Sequence, residues 1–232
     1  MFRTSRTARS PSFSAVSGEH EYARFAAGLG DPWRVAALPH PGFAPDEPLP
    51  ATAAALAALH AQQVLELAEG APVLLIGRSA GGWVAHAVAA ALERLGAQAA
   101  GIALLDTPPS GNDPRGYALM VDGLLHREDR FITIDDHRLT AMAAYARLFR
   151  EWTPEPISAP TLLVRAAAPH GPGEEPIASW RLPHETVEVP GDHFTMLEEH
   201  ASTTARTVGR WARGLRGGPP SAVAQPVTSK MP

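Results

Sequence analysis

The segment Val73-Leu74-Leu75-Ile76-Gly77-Arg78-Ser79-Ala80-Gly81-Gly82 constrains this 232-residue chain more than any other. A short apolar strand runs into a turn and then into an Ala-rich helix, so G-x-S-x-G stands where strand, turn and helix meet. The turn is so tight that side chains two residues before and after the serine would clash, and glycine at 77 and 81 removes them. The Ser79 hydroxyl then stands above a sheet edge at a helix N-terminus, with the Ala80 N–H placed to donate to a developing oxyanion. Elsewhere in a chain the same letters would describe a Gly-rich turn with a capping serine. The strand before and the helix after favour a nucleophile.

The rest of the chain repeats that alternation. Near-continuous apolar runs at 34–38, 73–76, 102–105, 161–165 and 186–189 read as strands covered on both faces. Helical patterns fill 19–29, 51–68, 80–95, 136–150 and 195–215. The first carries Tyr22, Phe25, Ala26 and Leu29 at helical spacing, and the second carries Leu56, Leu59, Val64 and Leu67 before Gly70 ends it. Strands alternating with helices predict an α/β fold with a mostly parallel sheet flanked by helices. One interval is too long for a simple connection: 55 residues run from Asp106 to Pro160. Its helical pattern, broken by polar stretches, is expected to form a lid over the C-terminal sheet edge; packing helices with no gating role are the alternative.

Serine is a weak nucleophile at neutral pH, so a base must reach it and a carboxylate must orient that base. In a strand–turn–helix setting of this kind the chain order is serine, acid, histidine. Among 10 histidines, His193 lies in Pro190-Gly191-Asp192-His193-Phe194, after the last strand and before the last helix. A loop there brings an imidazole over the sheet edge; His184 is the runner-up. His86 lies within the helix that follows Ser79, packed or on the surface, and His200 is expected to face solvent. Asp106 ends the strand next to that of Ser79, which makes it the candidate acid; capping the next segment is the alternative role. One strand later, Glu174 and Glu175 come several residues too late. Asp192 reads as a turn residue that shapes the His193 loop.

Composition narrows the field. With no cysteine, disulfides, thiolate metal sites and cysteine nucleophiles are excluded. A net charge of −4, from 20 basic and 24 acidic residues, lacks the dense basic surface that a duplex nucleic acid requires. No run reaches the roughly 18 apolar residues of a membrane span. The N-terminus lacks the apolar core of a secretory signal, so the cytoplasm is the expected location.

Five blocks in order carry a specific resemblance: Gly18-Glu19-His20-Glu21-Tyr22, Gly77-Arg78-Ser79-Ala80-Gly81-Gly82, Leu104-Leu105-Asp106-Thr107-Pro108-Pro109, Asp135-Asp136-His137-Arg138-Leu139-Thr140-Ala141-Met142, and Pro190-Gly191-Asp192-His193-Phe194-Thr195-Met196. Over about 14–213 the chain resembles the thioesterase domain of modular type I polyketide synthases. The resemblance implies an α/β-hydrolase fold with a helical lid, and acyl transfer from the phosphopantetheine arm of an acyl carrier protein to Ser79. Ser79, Asp106 and His193 are then the catalytic residues, with backbone oxyanion donors at Ala80 and, in Phe13-Ser14-Ala15, at Ser14. Arg78, Phe13 and Tyr145 are expected to touch the polyketide acyl chain. Neither a metal nor a bound organic cofactor is implied.

The chain departs from the family in two places. Arg78 stands where the family commonly has histidine; it is expected either to be solvated or to contact a polar part of the acyl chain. The family also begins with a dimerising helical pair and an apolar strand. Only Met1-Phe2-Arg3 is similar to that pair, and residues 4–12 look too short and polar to supply both. A homodimer is therefore an expectation of the resemblance alone. The expected division is an incomplete N-terminal remnant (1–12), a hydrolase domain (13–215, with a lid at about 109–150) and a disordered Gly/Pro-rich tail (216–232). The competing readings are a free-standing editing thioesterase, a general serine esterase and, in another class, an inactive hydrolase-fold binding module.

Overall fold

A computed structural model describes residues 9–13, 22–30, 33–109, 135–169 and 178–215. In chain order these form β1 (Arg9–Phe13), α1 (Ala23–Leu29), β2 (Arg34–Leu38), α2 (Ala53–Ala68), β3 (Leu74–Arg78), α3 (Ala80–Arg94), β4 (Gly101–Leu105), α4 (Asp136–Leu148), β5 (Thr161–Ala166), β6 (Glu185–Val189) and α5 (Ala201–Gly214). The six strands make one sheet in the order β2-β1-β3-β4-β5-β6, with every described pairing parallel. Successive side chains of a strand point to opposite faces. Accordingly Leu75, Ile102, Leu104 and Leu163 pack with α2 and α3 on one face, while Leu74, Ile76, Ala103, Leu105, Leu162 and Val164 pack with α1 and α5 on the other. Both faces are covered, which is why the central strands read as unbroken apolar runs.

Three expectations are corrected. Residues 9–13 do form a strand, lying between β2 and β3, although Arg-Ser-Pro-Ser-Phe has neither apolar alternation nor a backbone donor at Pro11. On α2 the inward face is Leu56, Ala57, His60, Ala61, Val64 and Ala68, whereas Leu59 and Leu67 are 40% and 38% exposed. The last helix starts at Ala201 rather than at 195, because residues 193–200 are spent in a chain of turns around His193. Ser14, residues 1–8, residues 110–134 of the expected lid and the expected tail, 216–232, lie outside the described residues.

Parallel strands with crossover helices bring all their C-terminal ends to one edge. Ser79, Asp106 and the His193 loop follow β3, β4 and β6 at that edge.

Candidate active site

Ser79 links β3 to α3 with φ 54 and ψ −131, a backbone conformation that favours glycine and costs a serine about 1–3 kcal/mol. Its surroundings enforce that geometry. A Cβ on Gly77 would stand 2.1 Å from the Gly81 carbonyl oxygen. The Ser79 N–H donates to Leu105 O at 2.9 Å, fastening the turn to the strand end that carries Asp106. Gly82, which sequence reasoning passed over, is equally required: a Cβ there would meet the buried Thr107 hydroxyl at 2.0 Å.

Asp106 is buried and also adopts a positive φ, 45°. Its carboxylate is divided between two donors. The Ala166 N–H donates to Oδ1 at 3.0 Å, and His193 Nδ1–H donates to Oδ2 at 2.7 Å. With its proton on Nδ1, the buried imidazole has the Nε2 lone pair as its basic site. The loop that presents it is organised by Asp192, whose Oδ1 accepts the N–H groups of Phe194 and Thr195 and the Thr195 hydroxyl. Ala80 opens α3, where the first-turn N–H groups have no intrahelical acceptor.

The other predicted residues fall differently. Phe13 ends β1, paired with Leu38 and Gly77. Arg78 is turned toward the His193 loop: Nη1 donates to the His193 carbonyl at 3.1 Å, and the guanidinium carbon lies 5.3 Å from the Phe194 ring centroid. The Tyr145 hydroxyl donates to Pro41 O at 2.9 Å, its ring stacks on His40, and burial pushes its pKa upward. The runner-up base, His184, uses Nδ1 on the Leu182 carbonyl at 2.7 Å. His86 is packed, between Trp152 and Trp180. His200 is half-buried at the α5 N-terminus rather than turned fully to solvent.

A pair of buried histidines joins the loop after β2 to α2. Gln63 offers Oε1 to His60 Nδ1 at 2.9 Å, so His60 carries its proton there and accepts from His40 Nδ1–H at 3.3 Å. Burial, reinforced by His60, lowers the His40 pKa to about 3, and burial also lowers that of His60. No helical or strand periodicity announces this pair, since His40 lies in a loop.

A sheet of parallel strands flanked by helices, with a serine at a strained β3–α3 turn, defines a hydrolase-type α/β protein. The family model described as "Thioesterase domain" matches residues 14–212. The chain is 48% identical over 217 residues to the spectinabilin polyketide synthase system protein NorC of Streptomyces orinoci, covering 89% of this chain and 9% of that protein. It is 45% identical over 212 residues to the polyketide synthase GfsE of Streptomyces halstedii, covering 88% and 6%. The chain thus spans under a tenth of the length of these curated relatives. Among solved structures, the RedJ thioesterase from the prodiginine pathway of Streptomyces coelicolor superposes with a TM-score of 0.71 at 23% identity, covering 89% of this chain and 91% of that one. The fold is the α/β-hydrolase fold, and the chain belongs to the thioesterase domain family.

Proposed function

We propose that this chain releases a polyketide from an acyl carrier protein through an ester on Ser79. The observation that carries the reading is the 2.7 Å contact of Asp106 with His193 Nδ1, at the same sheet edge as a serine in a strained turn. As Ser79 Oγ attacks the thioester carbonyl carbon, His193 Nε2 takes its proton, and the Asp106 carboxylate stabilises the imidazolium. The oxyanion is met by the Ala80 N–H and, by family resemblance, a second backbone donor at Ser14; loss of one such donor typically lowers kcat by about 10²–10³. Collapse breaks the C–S bond, and the phosphopantetheine sulfur leaves with the proton from His193. Water, or a hydroxyl of the chain itself, then attacks the ester while His193 takes its proton. Return of that proton to Ser79 Oγ frees a linear acid or a macrolactone. The carrier's arm is the only cofactor-like group this chemistry calls for.

The test is to offer the purified chain a long hydroxyacyl thioester and follow Ser79 and the product by mass spectrometry. An acyl adduct on Ser79, absent in Ser79→Ala, is expected. No adduct, or one that survives Ser79→Ala, overturns the proposal.

A further inference from the structure

We infer that Arg78 is a positioning residue for His193, a role that rests on the reading of His193 as the base. The guanidinium is half-buried and faces the loop that presents the imidazole. Its Nη1 donates to the His193 backbone carbonyl at 3.1 Å. Its carbon lies 5.3 Å from the centroid of the Phe194 ring, a cation–π distance. That ring in turn meets the His193 imidazole edge-to-face, with centroids 5.1 Å apart at 88°. The base is therefore fixed at two ends. Asp106 holds its Nδ1, and Arg78 holds its carbonyl and the aromatic ring beside it.

The anchor on the other side is equally firm. Arg78 ends β3, paired with Leu105 on β4, and its N–H donates at 3.0 Å to the hydroxyl of Tyr22, a buried residue at the start of α1. Because Arg78 precedes Ser79 in the chain, one residue couples the backbone of the serine to the backbone of the histidine. Proton transfer is steeply sensitive to such placement: a displacement of about 1 Å can lower a rate roughly 10²-fold. Lysine is a poor substitute, since it offers a point charge without the planar surface that lies over Phe194.

A substrate-contacting Arg78 and a positioning Arg78 make opposite predictions. In Arg78→Ala, kcat per active site is expected to fall about 10- to 100-fold. It should fall alike for short and long acyl thioesters of N-acetylcysteamine, with KM little changed. Active sites are counted by complete labelling of Ser79 with a fluorophosphonate, and the labelling rate should fall by the same factor. Arg78→Lys should recover part of the loss. Phe194→Leu, which removes the ring under the guanidinium, should lower kcat in the same direction and serves if Arg78→Ala does not fold. A KM increase confined to the long thioester, or an unchanged kcat per labelled site, overturns the role. His193→Ala separates the two readings. If it labels at the wild-type rate, the base itself is misassigned; if it is inert while Arg78→Ala is normal, only the positioning role fails.

Discussion

Asp106 shows how much one backbone amide can decide. The Ala166 N–H donates to its Oδ1, so Oδ2 must face His193 Nδ1. In Asp106→Asn the Ala166 N–H would hold the amide oxygen, leaving the NH₂ group against the imidazole. The imidazole would then turn its lone pair to Nδ1 and place its proton on Nε2, where it cannot act as a base. A fall in kcat of about 10⁴ is expected, with the circular-dichroism melt little changed. At the next residue in the chain the opposite kind of substitution is favourable. The Thr107 hydroxyl is buried without a partner among the described residues, against Gly82. Thr107→Val keeps the shape and removes that hydroxyl, so urea unfolding should show a gain of about 1 kcal/mol. The gathering of Ser79, Asp106 and His193 at one sheet edge was legible because each follows a strand end within a recognisable run of residues. The roles of Thr107, Gly82, Tyr22 and the Ala166 amide were not, because they arise from contacts between segments far apart in sequence.

At the scale of elements, the same division appears. β3, β4 and β5 were legible because they are buried on both faces, and α2 and α4 from their helical patterns; in the structure Thr52 and Asp135 cap them, accepting from Ala55 and Arg138 N–H groups. β1 was not, since its place between β2 and β3 is set by backbone pairing rather than by its own apolar pattern. What α4 packs against was also hidden. It is fastened to the loop between β2 and α2 by Tyr145 on Pro41 O and by His137 Nε2 on Ala44 O, with the Tyr145 ring against His40 and Phe43. This part of the interval between β4 and β5 is therefore pinned to the loop that follows β2. Tyr145→Phe keeps the ring and removes the hydroxyl bond, a loss of about 1 kcal/mol. Hydrogen exchange of the α4 amides should quicken several-fold while exchange in β3 and β4 stays unchanged. Equal acceleration in both would mean that α4 opens only with the whole domain.

The stability of the whole molecule is coupled to pH through histidines that the fold keeps neutral. His40 lies in the loop after β2, and His86 lies on α3 between Trp152 and Trp180 with neither ring nitrogen hydrogen-bonded among the described residues. Burial lowers their pKa values from 6.5 to about 3 and about 4, respectively. In the unfolded chain both return to about 6.5. Below that value the unfolded state binds protons that the folded state refuses, so stability falls as pH falls. The contribution is fully present above about pH 6.5 and is lost progressively down to pH 3–4. Between pH 7 and pH 5 each histidine removes about 2 kcal/mol, a large part of the roughly 5–15 kcal/mol that a domain possesses. His86→Leu deletes one of these titrations without touching the sheet edge that carries Ser79. Urea unfolding at the two pH values should show the wild-type chain losing more stability than His86→Leu by about 2 kcal/mol. The difference lies in the slope with pH, so it survives any change in packing that the leucine introduces at both pH values alike. If the two slopes were the same, His86 would have to be protonated in the folded protein, with Glu155, whose charge raises its pKa, as the group that keeps it so.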